Sequence, residues 1–194
     1  MQIEYEATFP DIDKNEFRKK LKSVGANLVK KEFLQKRVAF NLPKGHEIEG
    51  GWARIRDEGD RITLSLKIIS GDKIHDQKEI FLEVDNFKNA EMLLKNLGCK
   101  KKAYQETKRE LWGLNGIQIT IDEWPFLEPF VEVEGKSEEK VRKISELLGF
   151  NFSEAMFGSV DMLYKRKYGV SEDVINNKTL RIVFGEENPF LRKE

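Results

Sequence analysis

Six short segments of the chain divide their side chains between an apolar face and a polar or charged one. In IEYEATF (residues 3–9), Ile3, Tyr5, Ala7 and Phe9 fall on one side and Glu4, Glu6 and Thr8 on the other, because successive strand residues point to opposite faces. FVEVEG (130–135) sets Glu132 and Glu134, with Phe130, against Val131 and Val133. IQITID (117–122) sets Gln118, Thr120 and Asp122 against three isoleucines. WARIR (52–56) puts Arg54 and Arg56 opposite Ala53 and Ile55. ITLSLK (62–67) puts Thr63, Ser65 and Lys67 opposite Ile62, Leu64 and Leu66, and KEIFLE (78–83) carries Glu79 and Glu83 around Phe81. A single such strand would simply face water. Six of them, carrying both signs of charge, constrain the fold much more.

The helical segments decide which face turns inward. Asp13 is positioned to cap a helix over 14–24, with Phe17 and Leu21 on one side and Gly25 at its end. Apolar residues at helical spacing predict further helices over 86–97 and 137–148, closed by Gly98 and Gly149, and a fourth over 153–167. The first three are amphipathic and must bury their stripes, and the apolar strand faces are the natural partners. With helices outside, the charged faces turn inward when the sheet curls. The expected fold is therefore α+β, an eight-stranded antiparallel β-barrel with a polar, charged lumen. Its strands are 2–9, 33–42, a hairpin through 51–69 turning at Asp57–Asp60, 77–84, 102–114 joined to 117–124 at Asn115-Gly116, and 130–135. One domain over 1–168 is expected, followed by an irregular peripheral tail over 169–194.

Composition narrows the chemistry. Lysine plus arginine and aspartate plus glutamate balance at 34 each, which argues against a duplex nucleic-acid binder. The single cysteine, Cys99, and the two separated histidines offer neither a disulfide nor a Cys/His metal set. No apolar run of membrane-spanning length occurs, and MQIEYEATFP lacks the basic start and apolar stretch of a secretory leader. A cytoplasmic location is the expectation. Oligomeric state cannot be read from the sequence. The three tryptophans, Trp52, Trp112 and Trp124, read as packing or rim residues at strand ends. The basic runs Arg18 to Lys22 and Lys100 to Lys102 read as solvated surface.

Charge enclosed in a barrel needs water, mutual pairing or a charged ligand. Carboxylates from separate strands make an oxygen-only site suited to Mg2+ or Mn2+. Arginine and lysine facing them suit phosphate oxygens. Together they describe a pocket for a metal-bound polyphosphate.

In that order along the chain, EYE (4–6), ARIR (53–56), LSLK (64–67), KRELW (108–112), TID (120–122) and FVEVEG (130–135) resemble the CYTH superfamily. These are the triphosphate tunnel metalloenzymes: class IV adenylate cyclases, thiamine triphosphatases and inorganic triphosphatases. The resemblance implies an eight-stranded tunnel and a small-molecule triphosphate or nucleotide as partner. It also implies a divalent-metal-dependent phosphohydrolase acting on inorganic triphosphate, thiamine triphosphate or a nucleoside triphosphate. Glu4 and Glu6 match the start of a Glu-x-Glu-x-Lys signature, and Glu132 and Glu134 match the last-strand acidic pair; with Asp122 and Glu79 they would hold the metal. Arg54, Arg56, Lys67 and Arg109 match the triphosphate-gripping side. Catalytic roles fall on Glu4, Glu6 and Arg56.

Three positions depart from the family pattern. Thr8 and Thr107 stand where lysine is usual, and Arg37 stands where an acidic or polar residue is common. Arg37 or Lys108 is then expected to supply charge from another direction, and a register facing Lys108 inward instead of Arg109 stays open. Cyclic-nucleotide synthesis and binding without chemistry remain the alternative functions.

Overall fold

The computed structural model describes residues 1–191. The first expected strand is interrupted at Glu4, giving β1 (Gln2–Ile3) and β2 (Tyr5–Phe9). Then come α1 (Lys14–Ser23), β3 (Asn27–Asn41), β4 (Gly51–Asp57), β5 (Ile62–Ile69), β6 (Gln77–Val84) and α2 (Phe87–Asn96). The second half carries β7 (Lys100–Leu114), β8 (Ile117–Glu123), β9 (Phe130–Gly135), α3 (Glu138–Leu147), α4 (Asp161–Tyr168) and a short β10 (Arg181–Ile182). No helix among the described residues is long and apolar enough to cross a membrane.

The strands form one sheet in the order β1-β6-β5-β4-β3-β7-β8-β9-β2, with β10 added in parallel beside β7. The two ends of that order, β1 and β2, are consecutive in the chain. One segment therefore pairs with β6 on one side and β9 on the other, and the antiparallel sheet curls into a nearly closed barrel. The Glu4 amide donates to the Gln77 carbonyl at 3.0 Å where the segment changes partners. The eight expected strands are all present; the split at Glu4 and β10 account for the higher count.

The helices lie outside, as the strand faces predict. Phe17 and Leu21 of α1 and Val141 and Ile144 of α3 join Ala7, Ile119, Ile121, Val131 and Val133 in one buried cluster. Each of the larger of these side chains contributes about 1.5–3 kcal/mol when fully buried. Ala90 and Leu94 of α2 cover Val38, Phe40, Ala53 and Ile55. Asp13 caps α1 by accepting from the amides of Asn15 and Glu16, and the left-handed φ of +94° at Gly149 lets the chain leave α3. Asn115 and Gly116, both at positive φ, make the β7–β8 turn.

The expected fourth helix over 153–167 is broken. A single 3-10 turn spans Phe152–Glu154, α4 begins only at Asp161, and between them Met156 bridges back to Thr8 through two backbone hydrogen bonds. Gly158 at φ +129° allows that detour. The second strand starts at Asn27 rather than Phe33, because β3 pairs along its whole length with the equally long β7. Residues 169–191 wrap back over the barrel, and Ile175, Ile182 and Phe190 are buried against Trp124, Phe130 and Tyr164.

Candidate active site

The barrel encloses a cavity of about 1710 Å³. Glu4, Glu6, Arg37, Arg54, Arg56, Lys67, Glu79, Arg109, Glu132 and Glu134 all line it. Ten of the twelve residues singled out from the sequence therefore meet in one space. The pleat explains why: each is on the face opposite the apolar residues that the helices cover.

Sheet order sorts these charges into two walls. The neighbouring strands β4, β3 and β7 carry Arg54, Arg56, Arg37 and Arg109. The strands around the seam, β9, β2, β1 and β6, flank or carry Glu132, Glu134, Glu6, Glu4 and Glu79. Where the walls meet, opposite charges pair. Lys67 Nζ lies 2.9 Å from Glu4, Arg54 Nη2 3.1 Å from Glu79, and Arg109 Nη2 2.5 Å from Glu132.

Within each wall like charges are placed directly opposite one another. Arg37 and Arg56 are cross-strand partners, and so are Glu6 and Glu134. Such pairs are destabilising in a sheet. Burial, reinforced by Arg54 and Arg56, pushes the Arg37 guanidinium well below its ordinary pKa. Burial, with Arg54 and Arg109 beside it, lowers Arg56 to about 9. On the acidic wall, burial raises Glu6 well above the usual carboxylate range, and Glu132 and Glu134 add to the rise. Glu4 is pushed up to about 7, chiefly by burial, and shares a hydrogen bond with Glu79 that holds the Glu79 proton affinity down.

The basic wall also has unused donors. The Nε atoms of Arg37, Arg54 and Arg56 are buried without a hydrogen-bond acceptor. Arg37 is held from behind: its Nη2 donates to Gln35 Oε1 at 3.0 Å and to Thr107 Oγ1 at 2.9 Å, and its guanidinium stacks 4.5 Å over the Trp124 ring. Thr107 thus serves as a support for Arg37. Trp124, expected as a packing or rim residue, does pack on Tyr164 but also forms this cation–π floor inside the cavity.

Two expected residues lie elsewhere. Lys108 is on the outer face, where it pairs with Glu123 at 3.0 Å and sits over the Phe184 ring, so the register that turns Arg109 inward is the one adopted. Its cross-strand partner is Glu123, and that parity places it with the helices. Asp122 is fully buried in the wall, receiving two bonds from Arg109 at 2.7 and 2.9 Å and one from Thr120 at 2.5 Å. It anchors Arg109; burial opposes the guanidinium's charge, but Asp122 and Glu132 override it and raise Arg109 well above the usual range. Three cations outside the expected set also line the cavity, Arg61, Lys136 and Lys102, the last of which the sequence places on solvated surface.

The acidic wall suits a hard divalent ion, being all oxygen and strained by its own repulsion. Among the described residues no three of these groups converge closely enough to cage an ion alone.

The chain belongs to the CYTH domain family, whose sequence profile matches residues 2–161. A Methanocaldococcus jannaschii protein, named as a candidate adenylate cyclase, is 27% identical over 171 residues, covering 86% of this chain and 96% of its own. Among solved structures, a candidate adenylate cyclase from Vibrio parahaemolyticus shares the fold with a TM-score of 0.72 at 12% identity, covering 84% of this chain and 98% of its own. A Hippeastrum protein, described as a candidate adenylyl cyclase with a dominant triphosphatase activity, shares it with a TM-score of 0.57 at 13% identity, covering 91% of this chain and all of its own.

Proposed function

We propose that the protein is a divalent-metal-dependent phosphohydrolase that takes a triphosphate-containing substrate between the two walls of its barrel. The observation that carries this reading is the cluster of Arg37, Arg54 and Arg56, whose Nε donors are buried, unpaired and crowded by one another. Stacking like charges in a buried wall is costly without a compensating anion. A chain of phosphates is the ligand whose charge density answers three guanidiniums at once.

In this reading the basic wall binds and orients the phosphates, with Arg56 set against the charge that develops during transfer. Arg109, locked by Asp122, keeps its orientation without rearranging. Glu6, Glu132 and Glu134, with Glu4 and Glu79 at the seam, are the residues that would hold Mg2+ or Mn2+, which when bound would supply Lewis-acid stabilisation of the phosphate charge. Glu4 and Glu6 accept hydrogens from a water approaching along the acidic wall, opposite the guanidiniums.

The test is release of phosphate from tripolyphosphate, thiamine triphosphate and nucleoside triphosphates with Mg2+ or Mn2+. Folded protein that turns over none of them overturns the hydrolase reading. The name of the Methanocaldococcus relative favours a second reading, in which the ATP 3′-hydroxyl replaces water. Mass spectrometry separates the two: cyclic AMP and pyrophosphate, or ADP and phosphate.

A further inference from the structure

A local irregularity in the β3–β7 ladder places a further cation inside the tunnel. Ala39 pairs with Ala103, but the next residue, Phe40, pairs with Lys101, so Lys102 is an extra residue on β7. A bulge of this kind re-aims a side chain that regular pleating would send elsewhere. Here it points Lys102 into the cavity, where the residue is half-buried. The C-terminal segment fastens next to it: the Tyr104 amide donates to the Leu180 carbonyl at 2.9 Å, and β10 pairs with Tyr104 and Gln105.

Lys102 has no acid partner. Lys67, Arg54, Arg56, Arg61 and Arg109 each pair with a glutamate or aspartate, whereas among the described cavity-lining cations Arg37, Lys102 and Lys136 form no ion pair, and of these only Lys136 is exposed. The nearby Asp161 carboxylate is occupied by the Ser159 hydroxyl, the Met162 amide and the Asn176 side chain at 2.6 Å. Burial lowers the Lys102 pKa, and Asp161 offsets that only in part. Arg37 is level with Gln105, three residues from Lys102, so the two side chains leave the wall about 10 Å apart at ~3.3 Å per residue.

We propose that Lys102 is a specificity-determining residue that binds the second charged end of an inorganic polyphosphate chain whose first end lies at Arg37. The inference rests on the triphosphate reading above. A nucleoside triphosphate carries full charge at one end and an esterified, uncharged sugar at the other. Inorganic tripolyphosphate carries free oxygens at both, which matches two separated cations that lack partners.

The experiment compares the tripolyphosphate and ATP concentrations giving half-maximal thermal stabilisation, with and without Mg2+, for the wild type, Lys102→Met and Lys102→Arg. Losing one charge-assisted contact weakens binding about tenfold or more, so Lys102→Met is expected to lose that much for tripolyphosphate and much less for ATP, with Lys102→Arg restoring it. Equal losses for both ligands, or no loss, overturn the Lys102 assignment while leaving the functional reading intact. Wild-type protein that is stabilised by neither ligand overturns the functional reading and this assignment with it. Lys102→Met melting in buffer alone as the wild type does shows that the fold is kept, and Lys102→Arg decides the matter if it does not.

Discussion

Arg37 and Arg56 are direct partners across the β3–β4 ladder, and the Nε of each is buried without an acceptor. A chain folded for stability alone would not place two guanidiniums there. The pair defines the basic wall, and its cost in the free protein is the basis of the first prediction.

Arg37→Met is expected to raise the melting temperature of the ligand-free protein. A buried charge without an acid partner carries a desolvation penalty that nothing repays, and an apolar side chain of similar length removes it. The same variant should lose the thermal stabilisation given by tripolyphosphate. Thermal melts with and without that ligand check both halves; a variant that is less stable alone yet equally stabilised by ligand contradicts the role given to Arg37.

Acid titration gives the second. Glu4 has its pKa raised from 4.5 to about 7 in the folded protein, so the folded state binds more protons than the unfolded one across that interval. Its contribution is present below pH 4.5 and is lost as pH rises through 7. The raised Glu6 and Glu132 act in the same sense, while the lowered Glu79 titrates below this window. Stability of the metal-free protein should therefore fall between pH 4.5 and 7, by about 3 kcal/mol for Glu4 at 1.36 kcal/mol per unit. Denaturant melts across that range check it, and Glu4→Gln should flatten the slope.

Mg2+ should reverse part of that loss at pH 7, because a cation at the acidic wall offsets the Glu6–Glu134 repulsion. The expected outcome is a rise in melting temperature on adding Mg2+ that EDTA removes and Glu6→Gln abolishes. Equal rises in the wild type and Glu6→Gln would place the ion elsewhere.

Leu21 of α1 is fully buried against the outer face of the barrel. Leu21→Ala should cost about 3 kcal/mol, the usual loss for a buried leucine cut to alanine, and should leave the apparent affinity for tripolyphosphate unchanged where the protein is folded. A large change in affinity would mean that α1 shapes the lumen directly.

The barrel and its inverted polarity were legible because strand alternation and helical stripes are local patterns, visible in segments such as Tyr5–Phe9 and Phe130–Gly135. The three amphipathic helices then fixed which face turned inward. What escaped depends on pairing between distant strands. Lys102 enters the lumen only because the β3–β7 ladder slips by one residue there, and nothing within Lys100–Lys102 records that slip. The choice between Lys108 and Arg109 was likewise settled by the pairing of Arg109 with Asp122. Trp124 reads as an end-of-strand tryptophan until Arg37, 87 positions earlier in the chain, is found on its face. The fourth helix failed at Gly158, where backbone pairing of Met156 with Thr8 outcompetes a continuous helical pattern. Ile175, Ile182 and Phe190 follow no period, so their docking on Trp124 and Tyr164 left no mark in the sequence.

A crystal structure with tripolyphosphate and Mn2+ tests the two-wall site most directly. The expected result is phosphate density within hydrogen-bonding distance of Arg37, Arg54 and Arg56, and a Mn2+ anomalous peak between that density and Glu6 or Glu134. An ordered tripolyphosphate bound outside the barrel, with the lumen arginines unchanged, would contradict it.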